Sequence, residues 1–206
     1  MRGVLHRPRG DARGSLVLAH GAGGDCRAPF LVALAEAFAE RGVTTLRIDL
    51  PFRQRRRGPP ARGDAERDRA GLRGAVDVVG DHAAGPRWLG GHSYGGRQAS
   101  LAVAETPGLA AGLLLLAYPV HPPGRPDRLR VEHLADVRVP TLFVHGTADP
   151  FGTLNEVEAA RRRIPAPSAL LEVAGGHDLG VARTPAPTLA ARIATTFLTL
   201  TLPRPR

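Results

Sequence analysis

Three residues far apart in the chain, Ser93, Asp149 and His177, are of the types that perform nucleophilic acyl transfer. A serine hydroxyl is a weak nucleophile until an imidazole accepts its proton, and a carboxylate fixes that imidazole's tautomer. Ser93 lies in "LGGHSYGG" (89–96), where Gly91-His92-Ser93-Tyr94-Gly95 has the spacing of a nucleophile elbow. Such a serine sits on a strained strand-to-helix turn, where larger neighbours would clash. The five-residue pattern alone describes an ordinary turn serine equally well. Asp149 in "HGTADPFG" and His177 in "AGGHDLG" also have ordinary readings, as a turn residue before Pro150 and a loop histidine.

The elements that carry these residues must bring them to one place. Short apolar runs at 15–20, 44–49, 87–91, 112–118, 140–145 and 169–174 read as strands. Most are apolar throughout, as expected of parallel strands buried on both faces. "GVLH" near the start adds a candidate edge strand. Helical patterns fill the gaps. Phe30, Leu34 and Phe38 recur at four-residue spacing ahead of Gly42, and Thr153 with Glu156 makes a capping-box pattern. A last helix is expected after Thr184 and Pro185, followed by a frayed tail at 203–206. The alternation predicts an α/β fold with a mostly parallel, doubly wound sheet of about six or seven strands. Residues 1–206 read as a single domain, with 1–14 a leader containing the edge strand.

In such sheets the working face lies at the carboxyl ends of the strands. Ser93, Asp149 and His177 each fall just beyond a predicted strand, in the chain order of an α/β-hydrolase triad and not of the chymotrypsin or subtilisin types. The first strong strand ends in "HGAGGD" (20–25), a loop whose glycines let backbone N–H groups approach a ligand. It lacks the G-x-G-x-x-G spacing, and a chain without lysine has no P-loop, so nucleotide binding is not expected. The segments "LAHGAGGD", "GHSYGGR", "YPVHPPGRPDRLRVEHL", "PTLFVHGTADPFGT" and "GGHDLG" cover most of residues 17–180. Together they resemble a compact α/β hydrolase of the dienelactone-hydrolase-like group. The chain is most similar to a small branch that includes bacterial proteins and testis-expressed animal homologues. That resemblance implies Ser93 as nucleophile, Asp149 as acid and His177 as base. His92 and Tyr94 stand where members often carry Lys or Arg and Met. Dienelactone hydrolases proper use cysteine, so lactone specificity is not implied.

Around this core the expectations are specific. Backbone N–H groups of Ala22 and Tyr94 are the candidate oxyanion donors, each commonly worth ~3 kcal/mol. Phe52, Tyr118, His121 and Phe151 follow strand ends and are candidate pocket walls. Core packing competes for the two phenylalanines, and a proline-locked, solvent-facing loop competes for His121. Arg97 either braces the elbow through an acidic or backbone acceptor, the favoured reading, or binds substrate. Cys26 near a helix start reads as a small packing residue against a thiol of lowered pKa. The arginine-rich segment 53–62 is either a solvated loop or a guide for anionic substrates. The connection 119–139 has room for one short helix and none for a large lid, which suits small or accessible acyl groups. No H-E-x-x-H or paired-ligand spacing occurs, so neither metal nor cofactor is expected.

Composition narrows the partners. The net charge is +9, yet all 28 basic residues are arginine, and asparagine occurs only at Asn155. That bias is what GC-rich codons produce, and phosphate binding would draw on lysine too, so nucleic acid is not an expected partner. The single cysteine permits no internal disulfide and fits a reducing compartment. The start "MRGVLHRPRGDARG" has no apolar stretch of signal-peptide length and the longest apolar run, around "LLLLAY", is far too short to span a bilayer, so a cytoplasmic protein acting on a small acyl substrate is expected. The alternatives are a thioesterase or peptidase using the same triad, and a catalytically silent interaction protein on the same fold.

Overall fold

Successive residues of a strand face opposite sides of a sheet, so a strand apolar at every position needs cover on both. The computed structural model describes residues 1–181 and 186–202. Its strands are β1 (Gly3–His6), β2 (Ser15–Ala19), β3 (Thr44–Ile48), β4 (Arg87–His92), β5 (Leu113–Leu116), β6 (Thr141–Gly146) and β7 (Ser168–Val173). They form one sheet in the order β1-β3-β2-β4-β5-β6-β7, parallel except for β1, which runs antiparallel to β3. The helices are α1 (Pro29–Ala39), α2 (Pro51–Arg55), α3 (Asp64–Gly80), α4 (Tyr94–Glu105), α5 (Leu154–Arg161) and α6 (Ala186–Thr201).

The alternation along the strands builds two cores. Val17, Leu89, Leu115 and Phe143 pack with Leu72 and Val76 of α3, Ala99 and Val103 of α4, and Val157 of α5. Leu16, Leu18, Trp88, Leu114 and Leu142 pack on the other face with Leu34 and Phe38 of α1 and Ile193 and Phe197 of α6. Phe197 meets Phe38 and Trp88 edge-on, each at 5.9 Å between centroids. Such pairs add about 0.5–1.5 kcal/mol to the burial of the rings themselves.

Most expected elements are present, including the capping box at Thr153 and Glu156. Three differ. The arginine-rich segment opens as α2, because Pro51 at its first position presets the helical φ. The crossover from β5 to β6 forms only a 3₁₀ turn at Glu132–Asp136, so the chain carries no large insertion there. Helix α3 has no counterpart among the helices expected from periodicity. Gly71 and Gly74 interrupt its pattern, and Gly71 is needed because a Cβ there would lie 2.6 Å from Pro51. The expected helix entry at Thr184 and Pro185 and the tail 203–206 lie outside the described residues. No described helix is long and apolar enough to cross a membrane.

Candidate active site

Ser93 joins β4 to α4 with φ 50 and ψ −114, a positive φ that costs an ordinary side chain energy. Two glycines make this turn feasible. A Cβ on Gly91 would fall 2.7 Å from the Gly95 carbonyl carbon, and one on Gly95 would fall 2.5 Å from the His20 oxygen. The elbow therefore packs backbone against backbone, which answers why a serine should be set among glycines. Ser93 is tied to the next strand by its N–H, which donates to Leu116 O at 2.8 Å.

Beyond β7 and β6 the chain supplies the partners. His177 Nε2 lies 2.8 Å from Ser93 Oγ, and His177 Nδ1 lies 2.8 Å from Asp149 Oδ2. An ionised carboxylate only accepts, so Nδ1 carries the proton and the Nε2 lone pair faces the serine hydroxyl. The Asp149 side chain is fully buried, and its second oxygen accepts the Phe151 N–H at 2.8 Å. Phe151 stacks on the His177 ring at 4.1 Å, and His92 Nε2–H donates to the His177 carbonyl at 3.0 Å. The imidazole is thus held at ring, backbone and Nδ1, an arrangement able to move a proton from Ser93.

The glycine-rich loop lies directly over the serine: a Cβ on Gly21 would sit 2.9 Å from His92 Nδ1 and 3.5 Å from Ser93 Cβ. Its orientation comes from His20, a residue given no role by sequence reasoning. Leu50 N–H donates to His20 Nε2 at 3.1 Å, so Nδ1 holds the proton and donates to Gly21 O at 2.7 Å. That carbonyl shares a peptide plane with the Ala22 N–H. In a trans peptide the two point opposite ways, so fixing one aims the other. Burial lowers the His20 pKa, with the Gly21 hydrogen bond and Asp49 opposing it. Arg53 holds the next two carbonyls of the loop that face it, donating to Ala22 O and Gly24 O at 2.8 Å each.

Tyr94 supplies the other backbone N–H, at the first position of α4. Its hydroxyl donates to Asp68 Oδ2 at 2.7 Å, while Asp68 Oδ1 accepts the Phe52 N–H at 2.9 Å. Asp68 is fully buried on α3, and burial raises its pKa against the pull of both hydrogen bonds. This one carboxylate therefore links the residue after the serine to the start of α2. A histidine ending a strand before a glycine-rich loop could have drawn attention to His20. Nothing in sequence spacing marks Asp68.

These groups border a cavity of about 790 Å³ lined by Ser93, His177, Ala22, Phe151, Arg97 and Arg130 among others. The other expected wall residues face elsewhere. Phe52 is fully buried beneath Tyr94 and His20, at 5.7 and 5.6 Å between rings. Tyr118 is also fully buried, its hydroxyl bonded to Arg130 O at 2.6 Å. His121 is buried beside Glu156, with Nδ1 against Pro122 O at 2.7 Å, and is neither pocket wall nor solvent-facing. The favoured bracing role of Arg97 finds no acidic partner among the described residues, and Arg97 lines the cavity instead. Cys26 is buried and its pKa raised, chiefly by desolvation, which fits the packing reading. Arg55 and Arg56 are spent on Asp64 and Arg2 on Asp49.

The fold has close counterparts among solved structures. It resembles dienelactone hydrolase from Anabaena variabilis, at 26% identity and a TM-score of 0.76, over 98% of this chain and 92% of that one. An α/β-superfamily hydrolase from Xanthomonas campestris pv. campestris, described as putative, matches at 27% identity and a TM-score of 0.66, over 91% and 99% of the two chains. Est1E from Butyrivibrio proteoclasticus, solved with ferulic acid bound, shares the fold at 18% identity and a TM-score of 0.79, over 97% and 94%. The sequence itself matches the Alpha/beta hydrolase domain family over residues 12–200, nearly its whole length, and the chain belongs to that family.

Proposed function

We propose that the protein is a serine hydrolase that cleaves small or accessible ester-type acyl bonds through a covalent acyl-enzyme. The observation that carries this reading is the unbroken chain Ser93 Oγ–His177 Nε2 and His177 Nδ1–Asp149 Oδ2, 2.8 Å at each step, opening onto the cavity. Ser93 Oγ attacks the carbonyl carbon while His177 Nε2 takes its proton. The tetrahedral oxygen is stabilised by the N–H groups of Ala22 and Tyr94, aided by the amino end of α4. Collapse breaks the bond to the leaving group, which leaves with the proton from His177. Water then repeats the sequence on the acyl-serine, with His177 first accepting and then returning a proton. Asp149 stays ionised throughout, stabilising the imidazolium.

The hydrolase names of the Anabaena and Xanthomonas relatives support this class of reaction. The finer placement beside testis-expressed homologues rests on the sequence segments between residues 17 and 180, of which "HPPG" and "GTADPFG" are more specific than the elbow. A thioester or peptide substrate would use the same atoms. A fluorophosphonate probe tests the assignment: one equivalent should attach at Ser93, and Ser93→Ala should abolish both labelling and turnover of a short aryl ester. Equal labelling of Ser93→Ala would remove Ser93 from the chemistry. An unlabelled, inactive wild-type protein would favour the silent interaction protein.

A further inference from the structure

Arg97 and Arg130 line the cavity that holds Ser93 and His177. Arg97 sits one turn into α4, its N–H bonded to Ser93 O at 2.9 Å, so its side chain rises from the helix face that begins at the serine. Arg130 is fixed by its backbone, donating to Val120 O at 2.8 Å and accepting the Tyr118 hydroxyl at 2.6 Å. Both side chains are half-buried.

Among the described residues neither guanidinium has a hydrogen-bond partner. Arg97 Nε is buried without a hydrogen-bond partner, and among the described residues no carboxylate forms an ion pair with either arginine. Arginines elsewhere do have such partners: Arg69 pairs with Glu105 and Arg161 with Glu158. Structural arginines here also spend their forks on carbonyls, as Arg53 does. The carboxylate felt beside the pair is that of Glu132, which is exposed and makes no ion pair with either arginine among the described residues. Burial raises the Tyr118 pKa to about 12, and burial with the Arg97 charge lowers that of His133 to about 4, leaving both neutral near pH 7. Asp178, the acid bordering the same cavity, is exposed and accepts the Gly180 N–H at 3.0 Å.

Two cations that line one cavity, one with an unused buried donor, are matched by an anion carrying several acceptor oxygens. We propose that Arg97 and Arg130 form an anion subsite, so that the substrate is an ester bearing a carboxylate or phosphate a few bonds from its scissile carbonyl. One helical turn, about 5–6 Å along α4, separates the serine from Arg97, which sets that short spacing. This specificity rests on the serine-hydrolase reading, whereas anion binding itself does not.

The test separates the two. Calorimetric titration of Ser93→Ala with glutarate and with inorganic phosphate should show saturable binding, weakened at least tenfold by adding Arg97→Gln or Arg130→Gln. The stronger of the two anions identifies the group. In the Ser93-containing protein, kcat/KM for an aryl hemiglutarate, or for its phosphate-bearing counterpart, should exceed that for aryl butyrate. Either arginine variant should reduce that ratio at least tenfold, about 1.4 kcal/mol. Arg130→Glu, checked for folding by its thermal transition, should shift preference toward an ammonium-bearing ester. Anion binding without turnover of any ester would support the subsite and sink the hydrolase reading. Ester turnover without anion binding or preference would overturn the subsite alone, as would a preference unchanged in both arginine variants.

Discussion

Replacing His20 by phenylalanine keeps a large ring in a fully buried position and removes both hydrogen bonds that the imidazole makes. Two consequences can be separated. Leu50 N–H loses its acceptor, and an unsatisfied buried donor costs about 1–3 kcal/mol. For a domain of this size that is a fall in Tm of roughly 2–12 °C. Gly21 O loses its strongest donor and keeps only the Gly24 N–H at 3.1 Å, so the peptide that aims Ala22 N–H is free to turn. If that N–H is an oxyanion donor, its loss should lower kcat about 10²–10³-fold, or ~3–4 kcal/mol of barrier. KM should move little, because the interaction strengthens only as the oxygen becomes charged. The assay is kcat and KM on a short aryl ester beside the thermal transition, with affinity for an arylboronate transition-state analogue as a second readout. The boronate should weaken in step with kcat. A destabilised His20→Phe protein with kcat within twofold of wild type would refute the reasoning, since the loop would then be oriented without the histidine.

Arg55, Arg56 and Arg57 together replaced by serine should leave turnover of a neutral short ester within about threefold, under ~1 kcal/mol, because Arg55 and Arg56 serve Asp64 and not the loop. Arg53→Ser should instead lower kcat by more than threefold, since Arg53 holds Ala22 O and Gly24 O. Stability should decline as pH falls from about 6.5 toward 4: burial, then the Arg97 charge, lowers the His133 pKa to about 4, and burial lowers those of His20 and His92. The unfolded chain binds those protons in that window and the folded one does not, so urea midpoints measured across it should drop with pH. Among neutral aryl esters, kcat/KM should peak at a short acyl chain, because each CH₂ left outside the cavity forgoes about 0.8 kcal/mol; a rise continuing to C12 would contradict this.

The sheet could be read from the chain because its strands are apolar at nearly every position, a pattern that only a doubly covered parallel sheet satisfies. The elbow could be read because its geometry excludes every residue but glycine at Gly91 and Gly95, so the constraint is written in residue type. Asp68 and Arg53 could not. Each acts through hydrogen bonds to atoms 16 to 31 residues away, and neither its type nor its spacing reports such a partner. Helix α3 was equally obscured, since its glycines reflect contact with Pro51 and disrupt the apolar period.

The pocket walls show where counting from a strand end fails. Tyr118 follows β5 by two residues, yet Ala117 between them has φ 47, and this reversal of the backbone precedes a side chain buried in the core. A positive φ at a non-glycine residue has no signature in sequence, so the side chain's direction could not be inferred. Arg97 illustrates the complementary error. Measured from β4 it lies past the elbow, and bracing of the elbow was the favoured reading. Measured from the helix it is the fourth residue after the N-cap Ser93, and a period of 3.6 residues returns it to the same face. Any residue at a helix N-cap therefore has a neighbour one turn on that shares its face. In this chain that neighbour is a cation with a buried, unused donor.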